Sequence, residues 1–131
     1  MPRLRVVAVS ARLPGWAEAA CAEYLRRMPR GYQVERIAVK RADRIPRSAR
    51  LIALDERGKD LTTAQFSALL KLETTFVIGG ADGLPEDVKQ GAHLLLRLSS
   101  LTLPHALAQV VLLEQIYRAA TLLTGHPYHR A

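Results

Sequence analysis

Short apolar runs that alternate with helical patterns constrain the fold of this chain more than any other sequence feature. The predicted strands cover residues 3–9, 32–39, 49–54, 74–78 and 93–98. These runs are rich in β-branched and leucine side chains or alternate apolar with charged residues. Strands that alternate with helices form a mostly parallel sheet with helices on both faces. The sequence therefore predicts an α/β fold with a five-stranded, mostly parallel sheet.

The ends of the predicted helices follow from proline, glycine and hydroxyl side chains. The helices cover residues 14–28, residues 62 or 63 to about 72, a short segment from Pro85, and residues 104–124. Residues 55–58, Asp-Glu-Arg-Gly, predict a turn that ends the third strand.

The last predicted helix carries apolar side chains on more than one face. Those on the broad face cover nearly half of its circumference, whereas Val111 and Leu122 lie on the opposite side. The broad face is expected to pack on the sheet and the other face on a second subunit. A homodimer is therefore predicted, although an unusually deep position of this helix within one subunit would give the same pattern.

Length and cysteine content limit the class of protein. The 131 residues fit one domain, predicted to cover residues 1–131, and 49% hydrophobic residues suffice for one core. Cys21 is the only cysteine, so no disulfide forms within the chain. The longest uninterrupted apolar runs are too short for a membrane span or the core of a signal peptide. A soluble cytoplasmic protein that does not enter a membrane is expected.

Positive charge points to a polyanionic partner. The chain has 19 Lys and Arg against 12 Asp and Glu, a formal net charge of +7. Residues 26–50 contain nine of these cations and only two acidic residues, Glu35 and Asp43. Such a cluster is typical of phosphate contacts with a nucleic acid, although a solvated surface segment has the same composition. The two Phe and one Trp argue against a base-stacking platform.

Ligands of parallel α/β sheets bind beyond the carboxyl ends of the strands. In this chain the rule selects residues 54–55, 79–83 and 98–103. The glycines of the second segment let backbone amides approach a ligand closely, but they also suit a tight turn between a strand and a helix. The chain contains neither G-x-G-x-x-G nor G-x-x-x-x-G-K-[ST], which argues against dinucleotide binding and nucleotide hydrolysis.

Residues 126–130, His-Pro-Tyr-His-Arg, combine hydrogen-bond donors, an aromatic ring and a cation. They are suited to holding a nucleobase and a phosphate, and a frayed chain end is the alternative. A metal site formed by His126 and His129 is disfavoured, because this segment has no cysteine or acidic ligand. His105, in the first turn of the last helix, and Cys21, on an apolar helix face, are expected to be structural.

Several segments, taken together, resemble one family closely. They are Phe76-Val77-Ile78-Gly79-Gly80 with Gly83-Leu84, Leu98-Ser99-Ser100-Leu101-Thr102-Leu103-Pro104-His105, Glu114-Gln115-Ile116-Tyr117-Arg118-Ala119, and His126-Pro127-Tyr128-His129-Arg130. Residues 4–9 and 23–29 match as well, so the resemblance spans nearly the whole chain. The chain is similar to the ribosomal RNA large-subunit methyltransferase H group of the SPOUT class.

That resemblance implies a homodimer with a C-terminal trefoil knot, which uses S-adenosylmethionine and no metal. It would methylate N3 of a pseudouridine in 23S ribosomal RNA on the assembled ribosome. By the same resemblance the cofactor would be held by Leu54, Gly79, Leu98, Ser99, Ser100, Leu101, Thr102 and Leu103, and the substrate by Tyr128, His129 and Arg130. No residue is assigned to catalysis, since Asp82, Glu114, His129 or solvent could each accept the N3 proton.

The chain departs from the family pattern at two places. The usual Gly-Gly-Pro-Glu-Gly is Gly-Gly-Ala-Asp-Gly at residues 79–83, which keeps the glycines and an acid. Between residues 39 and 49 family members usually have a full helix, whereas this chain has a short basic loop. The second departure supports a non-catalytic ribosome- or RNA-binding factor as the alternative function. A methyltransferase that acts on transfer RNA or on another ribosomal base is a further alternative.

Overall fold

A computed structural model describes residues 2–10 and 12–130 of the chain. Its strands are β1 (Leu4–Val9), β2 (Val34–Val39), β3 (Leu51–Asp60), β4 (Thr74–Gly79) and β5 (Leu94–Arg97). Its helices are α1 (Gly15–Arg27), α2 (Thr63–Ser67), α3 (Glu86–Gln90) and α4 (His105–Thr124), with 3-10 turns at Ala42–Arg44, Ala68–Lys71 and Pro127–Arg130. Each predicted strand and helix is therefore confirmed, and among the strands β3 differs most from its predicted length.

The five strands form one parallel sheet in the order β2-β1-β4-β3-β5. Val9 at the end of β1 pairs with Val39 at the end of β2 and with Gly79 at the end of β4. The carboxyl ends of these strands therefore lie together at one edge of the sheet. Parallel neighbours need long crossover connections, which the helices between the strands supply.

Helices cover both faces of the sheet, but unequally. On one face α1, α2 and α4 enclose the larger core, in which Leu4, Ile52 and Phe76 have no exposed surface. On the opposite face a smaller core around Val7 and Val77 is covered by side chains of α3 and of the turn after β2. The alternation of side chains along each strand supplies both cores. The predicted covering of both faces is confirmed.

Helix α4 is packed as a core helix. Leu112, Leu113 and Ile116 have no exposed surface, whereas Val111 and Leu122 are half-buried. Among the described residues α4 is the one helix long and apolar enough to cross a membrane by length and composition. Its contacts with α1 and α2 account for the apolar side chains on the face that is buried within the subunit.

Thr62, one of the two threonines predicted as the cap, caps α2. The Thr62 hydroxyl accepts a hydrogen bond from the backbone N–H of Gln65 at 3.1 Å, and the Gln65 side chain accepts one from the backbone N–H of Thr62 at 2.9 Å. This reciprocal capping box satisfies two donors at the helix start and fixes where α2 begins.

The turn predicted at residues 55–58 is wrong, because β3 continues through them. Leu96 of β5 pairs first with Leu54 and then with Lys59, so the intervening residues of β3 bulge away from the ladder. Gly58 permits the bulge, since a Cβ there would lie 2.7 Å from the backbone N and C of Leu96. The glycine thus marks irregular backbone within a strand rather than a reversal of the chain.

Candidate functional site

A pocket of about 390 Å³ opens at the carboxyl ends of β3, β4 and β5. Its walls are the bulge of β3, the glycine loop (residues 79–83), α3, and the segment that joins β5 to α4. The lining comprises residues 54–56, 78–84, 96–99 and 101–103 with Lys89, His105 and Ala108. This is the edge at which parallel sheets bind their ligands.

The pocket brings together seven of the eight residues predicted to hold a cofactor. They are Leu54, Gly79, Leu98, Ser99, Leu101, Thr102 and Leu103. The eighth, Ser100, is exposed and does not line the pocket. The Ser99 hydroxyl accepts a hydrogen bond from the Leu101 backbone N–H at 2.9 Å, which holds the turn around Ser100.

The glycine loop is closed by backbone contacts that leave no room for side chains. A Cβ on Gly79 would lie 2.6 Å from the carbonyl carbon of Gly83, and one on Gly80 would lie 2.5 Å from the carbonyl oxygen of Ser10. Gly83 itself has a φ of 74°, which favours glycine. The tight turn that the glycine pattern allows is therefore present, and it forms one wall of the pocket.

Two ion pairs border the pocket. Asp55 and Lys89 lie 3.4 Å apart, with side chains that are 11% and 22% exposed. Arg97 binds Asp60 through two hydrogen bonds of 2.7 and 2.5 Å, and this contact holds the pKa of Asp60 below its usual value. Sequence reasoning missed Lys89, because no sequence signal shows that α3 packs beside the bulge that carries Asp55.

The two residues predicted to be structural have different surroundings. Cys21 is fully buried in the larger core, as its predicted position on an apolar helix face implies, and burial raises the pKa of its thiol. His105 lines the pocket and is half-buried, and its side chain forms no hydrogen bond with another described residue. It therefore lies at the pocket rather than in the core, and its structural role stays a prediction. Within residues 2–10 and 12–130 no three His, Cys, Asp or Glu side chains are grouped as a metal site.

The tail predicted to bind substrate packs on α4, outside the pocket. The Tyr128 hydroxyl donates a hydrogen bond to Glu114 Oε2 at 2.8 Å. The Tyr128 ring centroid lies 4.5 Å from that of Tyr117 and 4.9 Å from the Arg118 guanidinium. Burial, together with contacts to Tyr24 and Glu114, raises the pKa of Tyr128, so its hydroxyl stays a neutral donor. The tail is an ordered element of the subunit rather than a frayed end.

The predicted cofactor and substrate residues lie apart within one subunit. His129 is half-buried and Arg130 is exposed, and neither of them lines the pocket. Tyr117, beneath the tail, is nine residues along α4 from Ala108 at the pocket. At a rise of 1.5 Å per residue this is about 14 Å.

Replacement of Tyr128 by Phe is expected to loosen the tail. The change removes the hydroxyl that donates to Glu114 but keeps the ring beside Arg118. We expect the free energy of unfolding to fall by about 1 kcal/mol, a typical contribution of one hydrogen bond. Urea unfolding measures this, and faster amide exchange at residues 126 and 128–130 reports it locally. Tyr32→Phe is the control, because the Tyr32 hydroxyl bonds to no other described residue; equal losses in both variants would contradict the role of Tyr128.

Comparison with known proteins identifies the family. A family model described as "Predicted SPOUT methyltransferase" matches residues 2–129. A protein from Polynucleobacter asymbioticus is 47% identical over 145 residues, which cover 98% of this chain and 99% of that protein. A second, from Burkholderia thailandensis, is 43% identical over 155 residues, with 98% and 99% covered. Both are named ribosomal RNA large subunit methyltransferase H.

Solved structures share the fold. A methylase family protein from Haemophilus influenzae superposes with a TM-score of 0.68 at 12% identity, covering 97% of this chain and 70% of the other. The SpoU methyltransferase AviRb from Streptomyces viridochromogenes, solved in complex with the cofactor AdoMet, gives 0.59 at 15% identity, with 88% and 57% covered. Because the family model and the named relatives match over nearly its full length, the chain belongs to the SPOUT methyltransferases and, among them, to the ribosomal RNA large subunit methyltransferase H family.

Proposed function

We propose that this chain, as a single domain in the cytoplasm, transfers the methyl group of S-adenosylmethionine to N3 of a pseudouridine in 23S ribosomal RNA on the assembled ribosome. The observation that carries the proposal is the pocket that gathers seven of the eight predicted cofactor residues. The names of the relatives support ribosomal RNA as the substrate. A non-catalytic factor is not favoured, because the family match extends over the glycine loop and the segment before α4.

The pocket suits S-adenosylmethionine in size and chemistry. Its volume of about 390 Å³ lies in the range of sites for small ligands. The glycine loop brings backbone groups to the ligand where side chains on Gly79 or Gly80 would clash. Ser99 and Thr102 offer hydroxyls, and Leu54 offers an apolar wall. When bound, S-adenosylmethionine supplies an electrophilic methyl group on a positively charged sulfur.

The main task of the protein in this reaction is alignment. The loops that line the pocket would hold the methyl donor at the sheet edge, so that the acceptor nitrogen could approach in line with the bond that breaks. N3 must also lose its proton. Asp82 lines the pocket, whereas Glu114 already accepts hydrogen bonds from Tyr128, Arg118 and Gln115. The Asp82 carboxylate is therefore better placed within this subunit than Glu114 to accept that proton.

A homodimer with a C-terminal trefoil knot is part of the proposal. Trp16, Leu101 and Leu107 are 57%, 76% and 36% exposed, and they lie near the carboxyl edge of the sheet at the starts of α1 and α4 and in the loop before α4. Large exposed apolar side chains favour burial against a partner. A second subunit would also let its own tail, residues 128–130, reach the pocket that the tail of the first subunit does not line. The knot is inferred from family membership.

Calorimetric titration with S-adenosylmethionine, followed by methyl transfer to ribosomes from a strain lacking the gene, tests the function. We expect saturable binding of one cofactor per subunit and one new methyl group, mapped by mass spectrometry to a pseudouridine of 23S RNA. No binding at millimolar cofactor would favour the RNA-binding factor. Methylation confined to transfer RNA or to another ribosomal base would show that the protein is a methyltransferase with a different RNA target. Sedimentation at micromolar protein tests the dimer, and a monomer would contradict it.

A further inference from the structure

The nine cations of segment 26–50 do not form one cluster in the folded chain. Three of them, Arg26, Arg27 and Arg30, lie at the end of α1 and in the loop that enters β2, and Arg36 lies within β2. Arg47 and Arg50 precede β3. The remaining three, Lys40, Arg41 and Arg44, follow β2. Of the nine cations, Lys40, Arg41 and Arg44 alone lie at the carboxyl edge of the sheet, because they directly follow the carboxyl end of β2. The fold therefore selects three of the nine as neighbours of the pocket.

Arg36 is committed to holding the subunit together. Its guanidinium donates two hydrogen bonds to Glu18 on α1 at 2.9 and 3.1 Å and a third to Gln109 on α4 at 2.8 Å. The contact with Arg36 holds the pKa of Glu18 below its usual value. A guanidinium that is 17% exposed and paired in this way is a link between helices rather than a ligand for phosphate.

Lys40, Arg41 and Arg44, in contrast, line an open groove of about 500 Å³ together with Ala38 and Val39. All three cationic side chains are exposed. Arg41 lies 3.2 Å from Asp43, but both partners are about two-thirds exposed, so water screens this pair. Lys40 and Arg44 form no ion pair with another residue in the described part of the chain. The groove thus has a surplus of positive charge without an internal partner.

The groove is adjacent to the pocket. Val39, Val9 and Gly79 form one rung across three strands, so Val39 and Gly79 are about 10 Å apart at the usual strand spacing. Ser10 ties the two sites together. Its N–H donates to the Val39 carbonyl at 2.9 Å and its hydroxyl to the Lys40 carbonyl at 2.7 Å. The Ser10 carbonyl in turn abuts the glycine loop, so the groove is held against the wall of the pocket.

We propose that Lys40, Arg41 and Arg44 hold the phosphate backbone of the RNA strand whose base enters the pocket. This inference rests on the proposed function and adds to it the surface that the RNA crosses. Cations that track a backbone beside a site for the base are the usual arrangement for single-stranded RNA. The groove contains three exposed cations, and its location at the same sheet edge as the pocket places them beside the site for the base.

The test compares two triple variants that remove the same charge. Lys40→Gln/Arg41→Gln/Arg44→Gln neutralises the groove, and Arg3→Gln/Arg47→Gln/Lys71→Gln neutralises exposed cations that precede β1, β3 and β4 at the opposite edge. Each variant lowers the formal net charge from +7 to +4. The probes are a fluorescein-labelled single-stranded RNA of mixed sequence and ribosomes from a strain lacking the gene. S-Adenosylmethionine titration of each variant checks the pocket and the fold.

We expect the groove variant to bind RNA on the order of 10- to 100-fold more weakly, with a slope of log affinity against log salt reduced by about two, as three lost phosphate contacts require. The matched variant should keep most of its affinity, and both should bind the cofactor normally. Equal losses in the two variants, or no loss in the groove variant, would overturn the proposal. If the parent protein failed to bind S-adenosylmethionine, the proposed function would be contradicted but the RNA-binding role of the groove would not. The RNA titrations would still test that role.

Discussion

The Gly79→Ala variant is expected to bind S-adenosylmethionine on the order of 100-fold more weakly than the parent protein, equivalent to about 2.7 kcal/mol. The added Cβ would lie 2.6 Å from the carbonyl carbon and 2.7 Å from the carbonyl oxygen of Gly83. Both are backbone atoms, so no rotation of a side chain relieves the contact. The loop must open, which breaks the bridge between Gly80 and Gly83 and moves a wall of the pocket. Methyl transfer to ribosomes should fall at least as much.

Gly15→Ala is the matched control for this variant. It adds the same methyl group at the start of α1, where a Cβ would meet nothing within 4 Å. Calorimetry gives the cofactor affinity of each protein, and thermal unfolding shows whether each is folded. A folded Gly79→Ala protein that binds S-adenosylmethionine as tightly as the parent would show that the glycine loop is not part of the cofactor site.

A second large effect is expected at the bulge of β3. In Gly58→Ala the new Cβ would lie 2.7 Å from the backbone N and C of Leu96 and 2.8 Å from the backbone C of Leu95. Strand β5 must move to relieve these contacts. We expect the free energy of unfolding to fall by about 3 kcal/mol, at the upper end of the usual cost of overpacking. Cofactor affinity should fall as well, because the bulge carries Asp55 and Glu56 into the pocket.

Lys59→Ala is the control for Gly58→Ala. It changes the next residue of the same strand, whose side chain is exposed. Urea unfolding should show the parent stability for Lys59→Ala and an earlier transition for Gly58→Ala. Equal stability of the two variants would show that β5 accommodates the methyl group and that the glycine is not required for the bulge.

The order of elements was predictable because its signals are local. Strands follow from apolar runs, and α4 begins after Pro104 and ends at Gly125, which has a φ of 79°. The cap of α2 follows from a hydroxyl and an amide at the right spacing. None of these signals requires knowledge of what the element packs against.

The bulge shows where local signals fail. A glycine after charged residues has the same sequence pattern whether the chain reverses or a strand irregularity begins. The difference lies in β5, whose Leu96 pairs on both sides of the bulge although it is distant in the sequence. The ion pair of Asp55 with Lys89 was missed for the same reason.

The sequence by itself determined the parallel α/β architecture, and its resemblance to a family selected the residues of the pocket. Both rest on patterns within short segments. The tertiary structure alone separated Lys40, Arg41 and Arg44 from the other cations of their segment and set the tail on α4 outside the pocket. The residues just before a strand and those just after it lie at opposite edges of the sheet. Because all five strands are parallel, the connection to the next strand brings the chain back to the edge at which the previous strand began. Proximity along the chain therefore does not decide which charges share a surface.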